Sequence, residues 1–216
     1  VYEALGVATV APKLITMGGR QAVASVFRTD LKRLSAGEVA ALPEEAARIY
    51  QASVLVKNWD FAGASIDNIM RAPDGALVIV DTGASFRFRA RGGAKDYGPD
   101  IDEVRSFRRV GQNEAAAIYK PIFDADVWLE QRGARPIAAL TREQVDAALL
   151  GSGIAKVEAD ALAGALWARR EALIDRYNLD GRWNPKGVDG FESLVSRMTS
   201  VTGVARYADA KVTAGG

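Results

Sequence analysis

Between Asn68 and Gly83, two short apolar runs hinge on a tight turn, and this stretch constrains the fold more than any other. Asn68-Ile69-Met70 opens the first run, Pro73-Asp74-Gly75 reverses the chain, and Leu77-Val78-Ile79-Val80 forms the second. An Asp-Gly turn between apolar runs signals two antiparallel strands, because the reversal needs residues that tolerate unusual backbone angles. A ribbon of this kind returns Asp81 to the end from which Asn68 set out. An amide oxygen and a carboxylate at one ribbon end are suited to magnesium that bridges nucleotide phosphates. Asp60 lies eight residues before Asn68, in the loop that enters the ribbon. From there it is placed to orient or deprotonate an attacking hydroxyl.

What the chain lacks narrows the chemistry further. It contains no cysteine and no histidine. That excludes disulfides, cysteine- or histidine-ligated zinc, and nucleophile systems built on Ser-His-Asp or Cys-His. Carboxylates, amides, hydroxyls, lysine and arginine remain, a set that suits hard cations. With 49% apolar and 25% charged residues the composition is that of a globular chain, and a net charge of +1 gives no overall field for nucleic acid. No apolar run reaches the length of a bilayer span, and no secretory signal opens the chain. Alanine and arginine are abundant, as in coding sequences of GC-rich bacteria.

Before the ribbon, residues 1–6 read as the last turns of a helix stopped at Gly6, which suggests a piece of something longer. Ala8 to Met17 and Gln21 to Phe27 flank Gly18-Gly19 and read as a hairpin. Ser35-Ala36-Gly37-Glu38 fits a capping box, and behind it Pro43 is placed to kink or restart a helix. Residues 84–100 are glycine-rich and basic, with Arg87, Arg89, Arg91 and Lys95, and read as a long loop. Such cations either face solvent or grip phosphate or an acidic substrate, which the arginine fork fits. Thereafter the sequence turns helical. Thr141 to Gln144 forms a second capping box, a helix covers 156–177, and a last amphipathic helix carries Phe191, Leu194, Val195 and Met198. Trp59 reads as a core anchor, and Trp128, Trp167 and Trp183 as packing between helices. Arg169-Arg170 reads as a solvated face paired at helical spacing.

The motif Asp67-Asn68-Ile69-Met70, followed by Asp74-Gly75 and by Val80-Asp81-Thr82-Gly83, resembles the catalytic and metal loops of the protein-kinase-like superfamily. The likeness is to the phosphatidylinositol 3/4-kinase branch, to which HipA-type kinases also belong. Asn68 and Asp81 stand thirteen residues apart, as in that pattern. Thr82 replaces the usual phenylalanine, and Asp60 sits three residues further upstream than the pattern sets it, so Ser65 or Asp67 could share its task. The resemblance implies an α+β fold: a partial, β-containing N-lobe with hinge over 1–34, then a mainly helical C-lobe with the catalytic and metal loops over 35–125. Residues 126–216 continue that domain or extend it with helices. It further implies ATP and magnesium as cofactors, with Asn68 and Asp81 as metal ligands and Asp60 as catalytic base. Phe27 and Arg28 of the hinge, with Asn68, Met70 and Asp81, would contact the nucleotide. The phosphoacceptor would be a protein, a lipid or a small molecule, acidic in character if the basic loop receives it. The glycine-rich loop and phosphate-gripping lysine of the family would lie upstream of Val1 or on a second chain. ATP use implies the cytoplasm, or a host cytoplasm for an exported effector.

Two other readings attach to the same residues. Asp81-Thr82-Gly83-Ala84-Ser85 also resembles the aspartic protease signature, in which Asp81 would share a proton with a second chain's Asp81. A chain without the phosphate-gripping lysine also suits a non-catalytic pseudokinase or interaction module. At the level of local structure, Asp-Asn and Asp-Gly pairs are common in turns, where their side chains bond their own backbone.

Overall fold

The ribbon forms as its sequence dictates. The computed structural model describes residues 1–10, 13–25, 27–89, 93–151 and 154–181. In it β5 (Ile69–Arg71) and β6 (Leu77–Ile79) pair antiparallel, with Ile69 opposite Ile79 and Arg71 opposite Leu77. At the turn, Asp74 Oδ1 accepts the Ala76 N–H at 3.1 Å, the self-bonding that suits aspartate there. The ribbon is extended on both sides into a mixed sheet of order β1-β6-β5-β4, where β1 is Ala8–Thr9 and β4 is Lys32–Arg33. Strand β1 runs parallel to β6, and β4 antiparallel to β5.

The N-terminal hairpin is shorter than its sequence suggests. Residues 8–17 do not form one strand: Ala8–Thr9 joins the ribbon, while β2 (Lys13–Met17) pairs separately with β3 (Arg20–Ala24) through Gly18-Gly19. A short 3-10 turn, Glu3–Leu5, precedes β1 and stops at Gly6.

The remaining elements are helices, which makes the fold α+β with a small mixed sheet and a largely helical body. Ser35 caps α1 (Ala36–Ala40) through a complete capping box with Glu38. Pro43 occupies the first turn of α2 (Pro43–Leu55), where its missing N–H costs nothing, so it restarts the helix and does not kink it. Helix α2 is buried on nearly every side, the signature of a central helix. Against it pack α3 (Glu103–Ser106), α4 (Ala116–Ala125), α5 (Leu129–Ala139) and α7 (Lys156–Tyr177), while α6 (Arg142–Leu150) packs on α7. The box at Thr141 caps α6, and α7 ends on Asn178 in the left-handed conformation. The ring of Tyr50, on α2, meets Phe107 and Phe123 edge-on at 5.9 and 5.0 Å between centroids. Its hydroxyl donates to the Val104 carbonyl at 2.7 Å. One apolar core runs from Tyr2 to Leu173, so the described part of 126–216 packs into the same core as the ribbon.

Two expectations about large side chains are corrected. Arg169 is 0% exposed, not solvated, because it fills a site ringed by carbonyl oxygens; Arg170 donates to the carbonyls of Leu140 and Ala138. Trp128 stands at the start of α5 with 47% of its surface exposed and does not pack between helices. The helix expected over 191–198, together with Trp183 and Arg91, lies outside the described residues. Among the described residues, no helix is long and apolar enough to cross a membrane.

Candidate functional site

At the open end of the ribbon, the Val80 N–H donates to the Asn68 carbonyl at 3.0 Å, and Asp81 follows directly. Asp81 Oδ1 accepts the Gly83 N–H at 2.7 Å, which fixes the carboxylate against its own turn. Asn68 Nδ2 donates to the Asp60 carbonyl at 2.7 Å, drawing the upstream loop onto the ribbon end. The loop between them is tight. A Cβ on Gly63, whose φ is +75°, would stand 2.1 Å from Asp67 Oδ1 and 3.1 Å from the Asn68 nitrogen, so only glycine lets Asp67 and Asn68 sit there.

Asp60 is held by a residue that sequence reasoning missed. Asn58 is fully buried; its Oδ1 accepts the Asp60 N–H at 3.1 Å. Its Nδ2 donates to the Tyr2 hydroxyl at 3.1 Å and reaches the Asp81 carbonyl at 3.5 Å. Tyr2 in turn meets Ser53 Oγ at 3.1 Å, and burial raises its pKa to about 12, so the phenol keeps its proton at neutral pH. One buried amide thus connects the Asp60 loop, the Asp81 loop and the start of the chain. The available signal was a lone amide at the end of the apolar run Val54-Leu55-Val56. Replacing Asn58 by leucine is expected to destabilise the chain by about 1–3 kcal/mol, since buried polar partners are left unpaired. Denaturant unfolding measures that cost, and faster hydrogen exchange at the Asp60 amide localises it.

The two loops are tied at three further points. Phe86 N–H donates to the Val56 carbonyl at 2.6 Å. Lys95 Nζ donates to the carbonyls of Lys57, at 2.5 Å, and Ala84. Burial, reinforced by repulsion from Lys57, lowers the Lys95 pKa to about 8. Asp60 shifts the other way: burial, then the charges of Asp81 and Asp67, raise its pKa above the ordinary carboxylate value. Those two carboxylates therefore lie within electrostatic reach of Asp60, and a cation among them would relieve the repulsion.

Beside Asp60 opens a cavity of about 470 Å³, walled by Lys57, Trp59, Asp60, Arg89 and Lys95. Trp59 is both anchor and wall. Its ring meets Phe107 edge-on at 5.3 Å and its Nε1 donates to Glu103 Oε1 at 3.3 Å, yet 39% of the residue remains exposed. Glu103 also lies 3.6 Å from Lys57 Nζ.

The structure brings Asp60, Asn68 and Asp81 together, with Met70 one residue along β5, where it pairs with Val78 and with Arg33 of β4. Phe27 and Arg28 are not brought to them. Phe27 is 89% exposed, and Arg28 forms a fork with Asp30 at 2.6 and 2.5 Å. Arg87 pairs with Glu158 of α7 at 3.8 Å, away from the cavity lining. Among the described residues, no three carboxylates converge as a metal site by themselves. Asn68 and Asp81 nonetheless offer an amide oxygen and a carboxylate oxygen at this ribbon end, donor types that a hard cation accepts. Comparison of the chain with family models, curated proteins and solved structures gives no match.

Proposed function

We propose that this chain is the body of a kinase-like phosphotransferase, acting on ATP with magnesium. The observation that carries the reading is the ribbon end itself, where Asn68 and Asp81 meet the Asp60 loop through the Asn68 bond to the Asp60 carbonyl. Magnesium bound by Asn68 and Asp81 would supply charge neutralisation to the nucleotide phosphates. Asp60 positions the acceptor hydroxyl and receives its proton, a task favoured by burial and by the neighbouring carboxylates, which raise its pKa above the ordinary carboxylate value. Catalysis then rests on orientation and electrostatics, with no covalent enzyme intermediate. The helical body that follows Asp81 argues against the protease alternative, which calls for a mainly β domain.

The test is magnesium-dependent ATP binding by the full chain. Asp81→Ala is expected to weaken it on the order of 100-fold, about 2.7 kcal/mol, with circular dichroism unchanged. Equal affinity in the variant would sink the metal assignment. Binding without transfer to any acceptor would favour the pseudokinase.

A further inference from the structure

We propose that the cavity beside Asp60 is the acceptor site and that it takes a small alcohol bearing a phosphate monoester. This assignment rests on the phosphotransferase reading for the word acceptor, but its binding half stands without it.

The cavity holds three cationic side chains, Lys57, Arg89 and Lys95, against the carboxylates of Asp60 and Asp96. The cations are held by different means, which leaves them unequally free. Lys57 shares Glu103 at 3.6 Å, and Lys95 spends two protons on the carbonyls of Lys57 and Ala84. Arg89 uses only its Nε, on the Ala94 carbonyl at 3.2 Å, so among the described bonds both terminal amino groups remain available. A guanidinium offers those groups as a planar fork matched to phosphate oxygens. Burial first, and then repulsion from Lys57 and Arg89, depresses the Lys95 pKa, so an anion bound beside it would relieve part of that cost.

Size decides between a small ligand and a protein segment. About 470 Å³ lies toward the lower end of small-molecule pockets. That accommodates a phosphorylated three- to six-carbon polyol, roughly one anchoring group and one reactive hydroxyl. The exposed ring of Trp59 supplies an apolar wall against which a carbon skeleton can lie. With the phosphate at Arg89 and Lys95, the far hydroxyl faces Asp60. In the transfer, a bond forms between the acceptor oxygen and the γ-phosphorus of ATP. The bond from that phosphorus to the bridging oxygen breaks, ADP departs, and the hydroxyl proton passes to the Asp60 carboxylate.

The experiment is calorimetric titration of the full chain with glycerol 3-phosphate at low salt, with glycerol as control. Binding of the phosphate ester but not glycerol is expected, weakened at least about tenfold by Arg89→Ala. Arg89→Lys should recover part of it, since the charge returns without the fork. Arg142→Ala, on α6 and paired with Asp146, should change nothing. Affinity that Arg89→Ala leaves intact, or that matches glycerol, overturns the proposal. Repeating the titration with magnesium and a non-hydrolysable ATP analogue separates the two readings. Simultaneous binding supports an acceptor site, and mutual exclusion shows instead that the cations grip the nucleotide. Phosphate-ester binding with no nucleotide binding leaves the site standing and removes the phosphotransferase. A further arm uses phosphatidylcholine vesicles doped with phosphatidic acid. Arg89-dependent retention on them makes a lipid the source of the phosphate ester; its absence, with binding in solution, makes the source a soluble one.

Discussion

Replacing Arg169 by alanine is expected to destabilise the chain by about 3–5 kcal/mol, the range for removing one partner of a buried ion pair. The guanidinium has five N–H donors, and all five are used. Nε donates to the Leu55 carbonyl at 2.9 Å; Nη2 donates to the Val54 carbonyl and to Glu103 Oε2, each at 2.6 Å. Nη1 serves the carbonyls of Gly98, at 3.2 Å, and Asp100. Two of these acceptors belong to the last turn of α2, where carbonyls have no partner within the helix. Arg169 therefore caps α2 from a helix more than a hundred residues away in sequence, and holds the segment 98–103 against it. Glu103, 2% exposed, keeps Trp59 and Lys57 after the change, and the carbonyls of Leu55 and Val54 keep the Tyr97 hydroxyl and the Lys57 N–H, so the loss falls hardest on the carbonyls of Gly98 and Asp100. Glu103→Gln, which preserves an acceptor, is expected to cost less than Arg169→Ala. Urea midpoints at constant m-value read both. A loss below about 1 kcal/mol for Arg169→Ala, the worth of one ordinary hydrogen bond, would show that the ring of acceptors is not what holds this region.

Gly133→Ala tests the other fastening of α2. Gly133 lies in α5 where that helix crosses α2, and a Cβ there would stand 2.6 Å from the Ala47 carbonyl carbon and oxygen. It would also stand 2.8 Å from the Ala47 Cβ. Two of those atoms are backbone, so the added methyl can be accommodated only by prying the helices apart. Overpacking of this kind costs about 3 kcal/mol, while alanine gains about 1 kcal/mol in helix propensity. The net expectation is a loss of about 2 kcal/mol and a melting temperature lower by roughly 4–8 °C for a chain of this length. A melting point at or above that of the parent would refute the close crossing. Because α2 leads straight into Lys57, Asn58, Trp59 and Asp60, the same variant should also loosen the Asp60 loop.

Those two helix fastenings mark where legibility in the sequence ended. Within the candidate site, the Asn68–Asp81 ribbon was readable because its pairing is local and its turn is marked by Pro73-Asp74-Gly75. Asp60 was readable as a neighbour of that ribbon, but the amide that holds it was not. The importance of Asn58 depends on Tyr2 and Asp81, which approach it only in the folded chain. The basic loop was legible as charge, and its division of labour was not. Arg87 turns to Glu158 while Arg89 and Lys95 line the cavity, a sorting set by where α7 and the Asp60 loop happen to lie.

What the sequence determined by itself is whatever short-range chemistry suffices to specify. That includes the capping boxes at Ser35 and Thr141, the restart of the helix at Pro43, the span of the helix 156–177, and the ribbon with its two polar ends. Each depends on residues within a few positions of one another, so the pattern carries its own cause. Tertiary structure alone decided that Ala8–Thr9 would lie parallel to β6, that Arg169 would be buried rather than solvated, and that Trp59 would wall a cavity. Backbone carbonyls explain the case of Arg169. They are the same on every residue and leave no mark in the sequence, so which side chain satisfies them is settled only when distant segments pack.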